Sequence, residues 1–531
     1  MRFTKRFLFV TLIALLSATV MMSQERVAYP DTLGQVHFPI SCSAAAQKEF
    51  DRAAALLYSF WYSEAVKAFT TVTEVDPGCA PGYWGIAMSL WYPLWQPPSE
   101  AALKKGWAAV EQAKALGGKT DRERDYIAAI EMFYKDSDKL DHRTRALTYE
   151  KAMEQMYLRY PEDREAAVFY ALALNATALS TDKTYAKPLK AAEILEKIFV
   201  EQPNHPGVAH YLIHSYDYPP LADRGLSAAQ RYSKIAPSVP HALHMPSHIF
   251  TRLGMWQESI QSNSDSAAAV KGPDGALEKL HAMDYMMYAY LQGAQDLEAK
   301  RILDERNAIG KGIPENAAGG VYAFASIPAR HAIERRQWAE AASLEPHPSR
   351  LPYTEAMTYF ARAIGAARSG NTANAKKDVE KLQSLHNALV EAKQSYWADQ
   401  VEVQRRAAAA WLARAEGKNE EALTLMRSAA DLEDSTEKNP VTPGHIMPAR
   451  ELLGDLLLEL GQPAQALNEF EASLRRDPNR FNGLYGAARA AEQAGNREKA
   501  RMFYEKLVAL CGKADSERPE LLKAKAFLAK S

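Results

Sequence analysis

The chain has 531 residues, of which 47% are hydrophobic and 24% charged, with 64 basic against 65 acidic side chains. That balance excludes wholesale disorder and fibrous classes. It also gives no basic excess that would displace counterions from nucleic acid or hold the chain on anionic lipid.

The N-terminus reads Met1-Arg2-Phe3-Thr4-Lys5-Arg6, then an apolar stretch from Phe7 to Met22, then Ser23-Gln24-Glu25-Arg26. A basic start, a short apolar run and a small residue before polar sequence predict a secretory signal over 1–23 with cleavage after Ser23. The alternative is an uncleaved membrane anchor, but the run is shorter than the ~20 residues a spanning helix needs. The expected product is exported, periplasmic or secreted, with no transmembrane segment. In that compartment a disulfide is chemically permitted. Cys42 and Cys79 each precede an apparent helix start and form a candidate pair, with two unpaired core thiols as the alternative; Cys511 has no evident partner.

Repeats follow along the chain. Phe60-Trp61-Tyr62-Ser63-Glu64-Ala65 precedes Val75-Asp76-Pro77. Further units are suggested at Arg159-Tyr160-Pro161, Glu201-Gln202-Pro203, Leu253-Gly254-Met255-Trp256, Gln337-Trp338-Ala339-Glu340-Ala341 and Ser369-Gly370. The clearest pair is C-terminal, where Gly461 and Gly495, and likewise Ala466 and Ala500, are 34 residues apart. No stretch shows the sustained apolar–polar alternation of a sheet.

These residues resemble the tetratricopeptide repeat family, most strongly over 447–510. The resemblance implies an all-α fold: a right-handed α-solenoid of antiparallel helix pairs with a concave groove lined by the first helix of each pair. Ala at the contact permits close helix approach, Gly accepts the positive φ of a turn, and Pro cannot continue a helix. The expected organisation is a central solenoid over 24–345, degenerate helices over 346–432, a Pro-rich connector over 433–446 and C-terminal repeats over 447–531. Because each hairpin buries its apolar face on its neighbours, the length does not require separate globular cores.

One window stands out. Residues 210–248 hold five of the chain's 13 histidines: His210, His214, His241, His244 and His248. Counting from Pro203 and Pro237 as helix ends places all five at repeat positions that the family directs into the groove. A His-x-x-x-His pair on one helix presents both rings to one side. Leu280-His281-Ala282-Met283-Asp284 approximately repeats the pattern, adding His281 and a carboxylate, Asp284. The candidate ligands are therefore His210, His214, His241, His244, His248, His281 and Asp284, a set suited to zinc, copper or iron and large enough for two ions. A metal-free polar seam or proton-transfer site is the alternative. Pro246 disfavours helical geometry at Met245: a helix starting near Leu243 keeps the histidines aligned, and one starting only at Pro246 does not. Asp217, Tyr218, Asp223 and Tyr288 are candidates to support the ligands.

No His-Glu-x-x-His, Gly-rich phosphate loop, Gly-x-Ser-x-Gly or Cys-x-x-Cys is present, so the sequence names no catalytic residue. Three functions compete: an exported binding or scaffold protein whose groove takes a protein, peptide or small ligand; a metal-dependent enzyme, hydrolase or oxidase, on a helical solenoid; and metal storage or transfer.

Overall fold

The computed structural model describes residues 32–94, 97–270, 275–309 and 318–530. The expected signal over 1–23 lies outside the described residues. Among them the secondary structure is helical with no strand, and none of these helices is long and apolar enough to cross a membrane. Residues from Thr32 onward form one compact unit.

Successive helices pack in pairs, and many also touch the helix two further along, as Pro352–Arg368 touches Ser395–Ala415. This is the packing of an α-solenoid. Its chemistry is plainest in the C-terminal repeats. The Phe470 ring lies where a Cβ on Gly454 or Gly486 would stand, 2.6 and 2.2 Å away, so glycine at both positions lets the ring seat between two flanking helices. Gly461 and Gly495 turn the chain with φ of +70° and +79°, a region open to glycine at little cost. Gly254, expected at the equivalent turn, has φ +65°.

The stack bends back on itself. Ala44–Tyr58 touches Pro206–Tyr216, and Gly275–Gln292 touches Phe481–Gln493. Cys42 and Cys79 are joined in a disulfide with a Cα–Cα distance of 5.4 Å. The apolar core falls mainly into two large clusters, one spanning residues 33–250 and the other 294–524. Smaller apolar clusters lie over 280–327 and around Trp256 and Tyr288.

The connector lies inside the fold. After Asn419–Asp434 the chain runs without helix to Ala449, yet most of this segment is buried. Lys438 donates to Asp217 at 3.0 Å. Glu437 accepts from Lys183 and Tyr185 at 2.7 and 2.9 Å, and Arg330 donates to the carbonyls of Gly444 and His445. A polar, Pro-rich connector is tolerated inside because charged side chains from distant helices satisfy its backbone and its own charges.

Candidate metal centre

Three short elements carry the central histidines. His210 and His214 sit on Pro206–Tyr216, His241 and His244 on Pro240–His244, and His248 on Pro246–Arg252. Each helix begins with proline at its first position, where the missing N–H has no helical partner to lose. The helix starts earlier than either alternative from sequence. Met245 takes φ −53° and ψ −36°, so helical geometry continues past Pro246, and the Met245 N–H donates to the His241 carbonyl at 2.9 Å. His241, His244 and His248 therefore stay aligned.

The six histidines form two triads, His210/His214/His241 and His244/His248/His281. Within each, the potential ligand nitrogens lie within 4.8 Å of one another. His210 Nε2 is 3.2 Å from Nε2 of His214 and from Nε2 of His241, and His244 Nε2 is 3.1 Å from His248 Nε2. Metal–nitrogen bonds of about 2.0–2.1 Å would set such atoms about 3.3–3.6 Å apart. Across the triads, the rings of His214 and His248 are 5.8 Å apart and those of His241 and His244 5.9 Å, so the two sites adjoin.

The outer nitrogens settle which inner nitrogens bear protons. His210 Nδ1 donates to the Tyr58 carbonyl at 2.7 Å. His248 Nδ1 donates to Asp217 Oδ2 at 2.9 Å. His244 Nδ1 donates to Asn263 Oδ1 at 2.6 Å, and Asn263 is oriented by its own Nδ2 donating to the Ser259 carbonyl at 2.7 Å. A neutral ring carries one N–H, so Nε2 of these three rings is a bare lone pair. Between His244 and His248 two lone pairs face each other.

Protonation does not relieve that contact. Burial pushes His210 and His281 down to about 3 and His214, His241 and His244 well below the ordinary value. Burial also lowers His248, against the pull of Asp217. Asp217 is itself held well below the usual carboxylate range: burial would raise it, but Lys438 and Arg252 outweigh that. Arg252 Nε donates to Asp217 Oδ1 at 2.8 Å.

An aromatic ring covers each triad. Phe60 lies 4.3 Å from His210 and 5.7–5.8 Å from His241 and His214, centroid to centroid. It holds φ +54°, a left-handed backbone rare for a bulky residue and costing on the order of 1–3 kcal/mol. Tyr285 lies 4.8, 5.2 and 5.4 Å from His244, His248 and His281. A cavity of about 470 Å³, walled by Tyr92, Tyr218, Tyr396 and Lys438, reaches His214 and Asp217.

Of the seven candidate ligands, six are brought together and Asp284 is not. It lies three residues beyond His281, about 60° around the helix, and is fully buried against Arg330, whose Nε donates to it at 2.8 Å. Asp217 supports the centre as expected. Tyr288 instead accepts from Arg480 at 2.7 Å, and Asp223 is exposed. Sequence reading missed Tyr58, Phe60, Asn263, Lys438 and Tyr285. Only Tyr285, four residues after His281, carried a local signal.

Fold and centre together define an all-helical repeat protein with a buried, metal-capable histidine array. The chain carries a tetratricopeptide repeat at residues 448–480, where the model of that family matches it, and such repeats suggest a binding or scaffold role. No curated protein matches the chain.

Proposed function

We propose that this protein binds two transition-metal ions, one in each histidine triad, and that the helical stack is the scaffold of a metal-dependent enzyme acting on a small molecule. The facing Nε2 atoms of His244 and His248 carry the reading. Two bare lone pairs at 3.1 Å in a buried site repel unless a cation lies between them. The ligands His210, His214, His241, His244, His248 and His281 are all neutral imidazoles, the form that binds metal. Acceptors on the outer nitrogens fix ring orientation and raise ligand basicity.

The cavity reaching His214 supports chemistry on a small molecule. A peptide in the groove has less support, because the chain's own segment over 435–448 packs against Asp217 and Tyr285. The Cys42–Cys79 disulfide supports function in an oxidising compartment after export, which cell fractionation tests.

Elemental analysis of protein loaded with zinc, copper or iron and then desalted should find two ions per chain, falling to one in His244→Ala. Metal well below one ion per chain for all three, unchanged by the substitution, would refute the reading.

A further inference from the structure

We infer that the paired triads are a dicopper centre whose reduced form binds one dioxygen molecule as peroxide, shared by the two ions. This rests on the two-metal reading and goes beyond it in naming the metal and its small-molecule ligand.

The donor set selects the metal. Each triad offers three imidazoles and neither offers a carboxylate or a thiolate. Asp284 is locked to Arg330, Asp217 meets only the outer nitrogen of His248, and Cys42 and Cys79 are bonded to each other. Imidazole nitrogen suits copper, zinc, nickel and iron, and among divalent ions the order of affinities peaks at copper, the metal of this set that is also stable as a singly charged ion. Sites for iron or manganese of the carboxylate type lack their oxygen ligands here.

Charge then selects the oxidation state. Desolvation of an ion scales with the square of its charge, so a singly charged ion costs about a quarter of what a doubly charged one does. Two divalent ions would place four positive charges beside Arg252 and Lys438, both buried, with Asp217 already shared between those cations. Two copper(I) ions place only two. Three nitrogens satisfy copper(I) and leave one side of each ion open.

Dioxygen closes the balance. Each copper(I) gives one electron and becomes copper(II); dioxygen accepts both and becomes the peroxide dianion. No proton or outside reductant is consumed in this step. The centre carries two positive charges before it and two after, because the four on copper are offset by two on peroxide, so the buried site meets no added net charge. The adjoining triads, with rings 5.8 and 5.9 Å apart across the gap, allow both ions to share one ligand. Phe60 and Tyr285 keep the ring faces dry, which protects a reactive oxygen species from water. The cavity at His214 is the route for dioxygen.

The test is copper(I) loading of the full chain without oxygen, followed by air. Expected are two coppers per chain, one dioxygen taken up per two coppers, an intense near-ultraviolet peroxide-to-copper charge-transfer band, and no copper(II) paramagnetic resonance signal because the two spins couple. His214→Ala, or His241→Gln if the first variant does not fold, should lose the band at least ~10-fold and show the resonance of isolated copper(II). Two coppers that oxidise to isolated copper(II) without the band would overturn the dioxygen inference and leave the two-metal reading standing. Two zinc ions with copper refused would overturn it in the same way. Failure to bind any metal would remove the underlying reading as well. A band retained in full by both variants would also overturn the inference.

Discussion

The two triads share a ligand set and differ in what stands behind it. In the first, His210 leans on a backbone carbonyl, His241 is only partly buried and His214 borders the cavity. In the second, all three rings are buried, His244 is fixed by an oriented amide, and His248 by a carboxylate that also holds Arg252 and Lys438. A carboxylate behind an imidazole raises its basicity more than a carbonyl does. On the two-metal proposal, the second triad is the one to hold its ion tightly and the first the one that something can reach.

The largest expected effect tests both triads at once. In the folded, metal-free chain the buried rings stay neutral far below their ordinary value, to about pH 3 for His210 and His281, whereas in the unfolded chain they take up protons near 6.5. Below that pH the unfolded state binds more protons, so stability is present above about 6.5 and is lost as pH falls. The slope is about 1.4 kcal/mol per pH unit for each fully buried ring, and several rings act together. Metal-free protein should therefore lose melting temperature steeply between about pH 6.5 and 4.5, and metal-loaded protein, whose folded rings are equally free of protons, should melt higher but fall with a similar slope while the metal stays bound. Equal melting temperatures for the metal-free chain at pH 7.5 and 5 would show that the rings are not held neutral.

Next in size is Asp217→Asn, which removes the feature that most separates the triads. Two buried cations, Arg252 and Lys438, lose the carboxylate they share and keep only Glu437, 4.0 Å from Arg252, a change that costs about 3 kcal/mol in urea unfolding of the metal-free chain. Affinity at the second triad should fall ~10–100-fold, while the first keeps its ion. Equal losses at both sites in a metal titration would erase the proposed distinction. Asn263→Ala is milder. It leaves the His244 N–H without its acceptor and frees the ring to turn, and a loss of about 10-fold confined to the second site is expected.

How much of this was legible depends on range. The 34-residue spacing, the turn at Gly254 and the alignment of His210 with His214 are set by contacts within a hairpin or between neighbours, and local sequence reports them. The connector's burial has no local sign, because Lys438 and Glu437 are stabilised by Asp217, Lys183 and Tyr185, more than two hundred residues away. Asn263 and the Tyr58 carbonyl carry no sequence mark at all, since any residue has a carbonyl and an asparagine on a helix is ordinarily solvated. Asp284 shows the converse: its spacing from His281 suits a ligand, but Arg330 from another helix takes its charge.

The smallest expected effect isolates the cover of the second triad from its ligands. The Tyr285 hydroxyl donates toward the carbonyls of Thr442 and Pro440 at 3.2 and 3.3 Å and lies 3.4 Å from His248 Nε2. Tyr285→Phe keeps the ring against His244, His248 and His281 and removes only that tie to the connector. A single hydrogen bond contributes about 0.5–1.5 kcal/mol, so global stability should drop by about 1 kcal/mol and the first triad should bind as before. The informative reading is hydrogen exchange in 438–446: if the hydroxyl anchors the connector, protection falls there and not around His210. Should protection fall equally at both triads, the connector would be holding the whole centre closed, and the contrast between an open and a locked site would have to be redrawn around that segment.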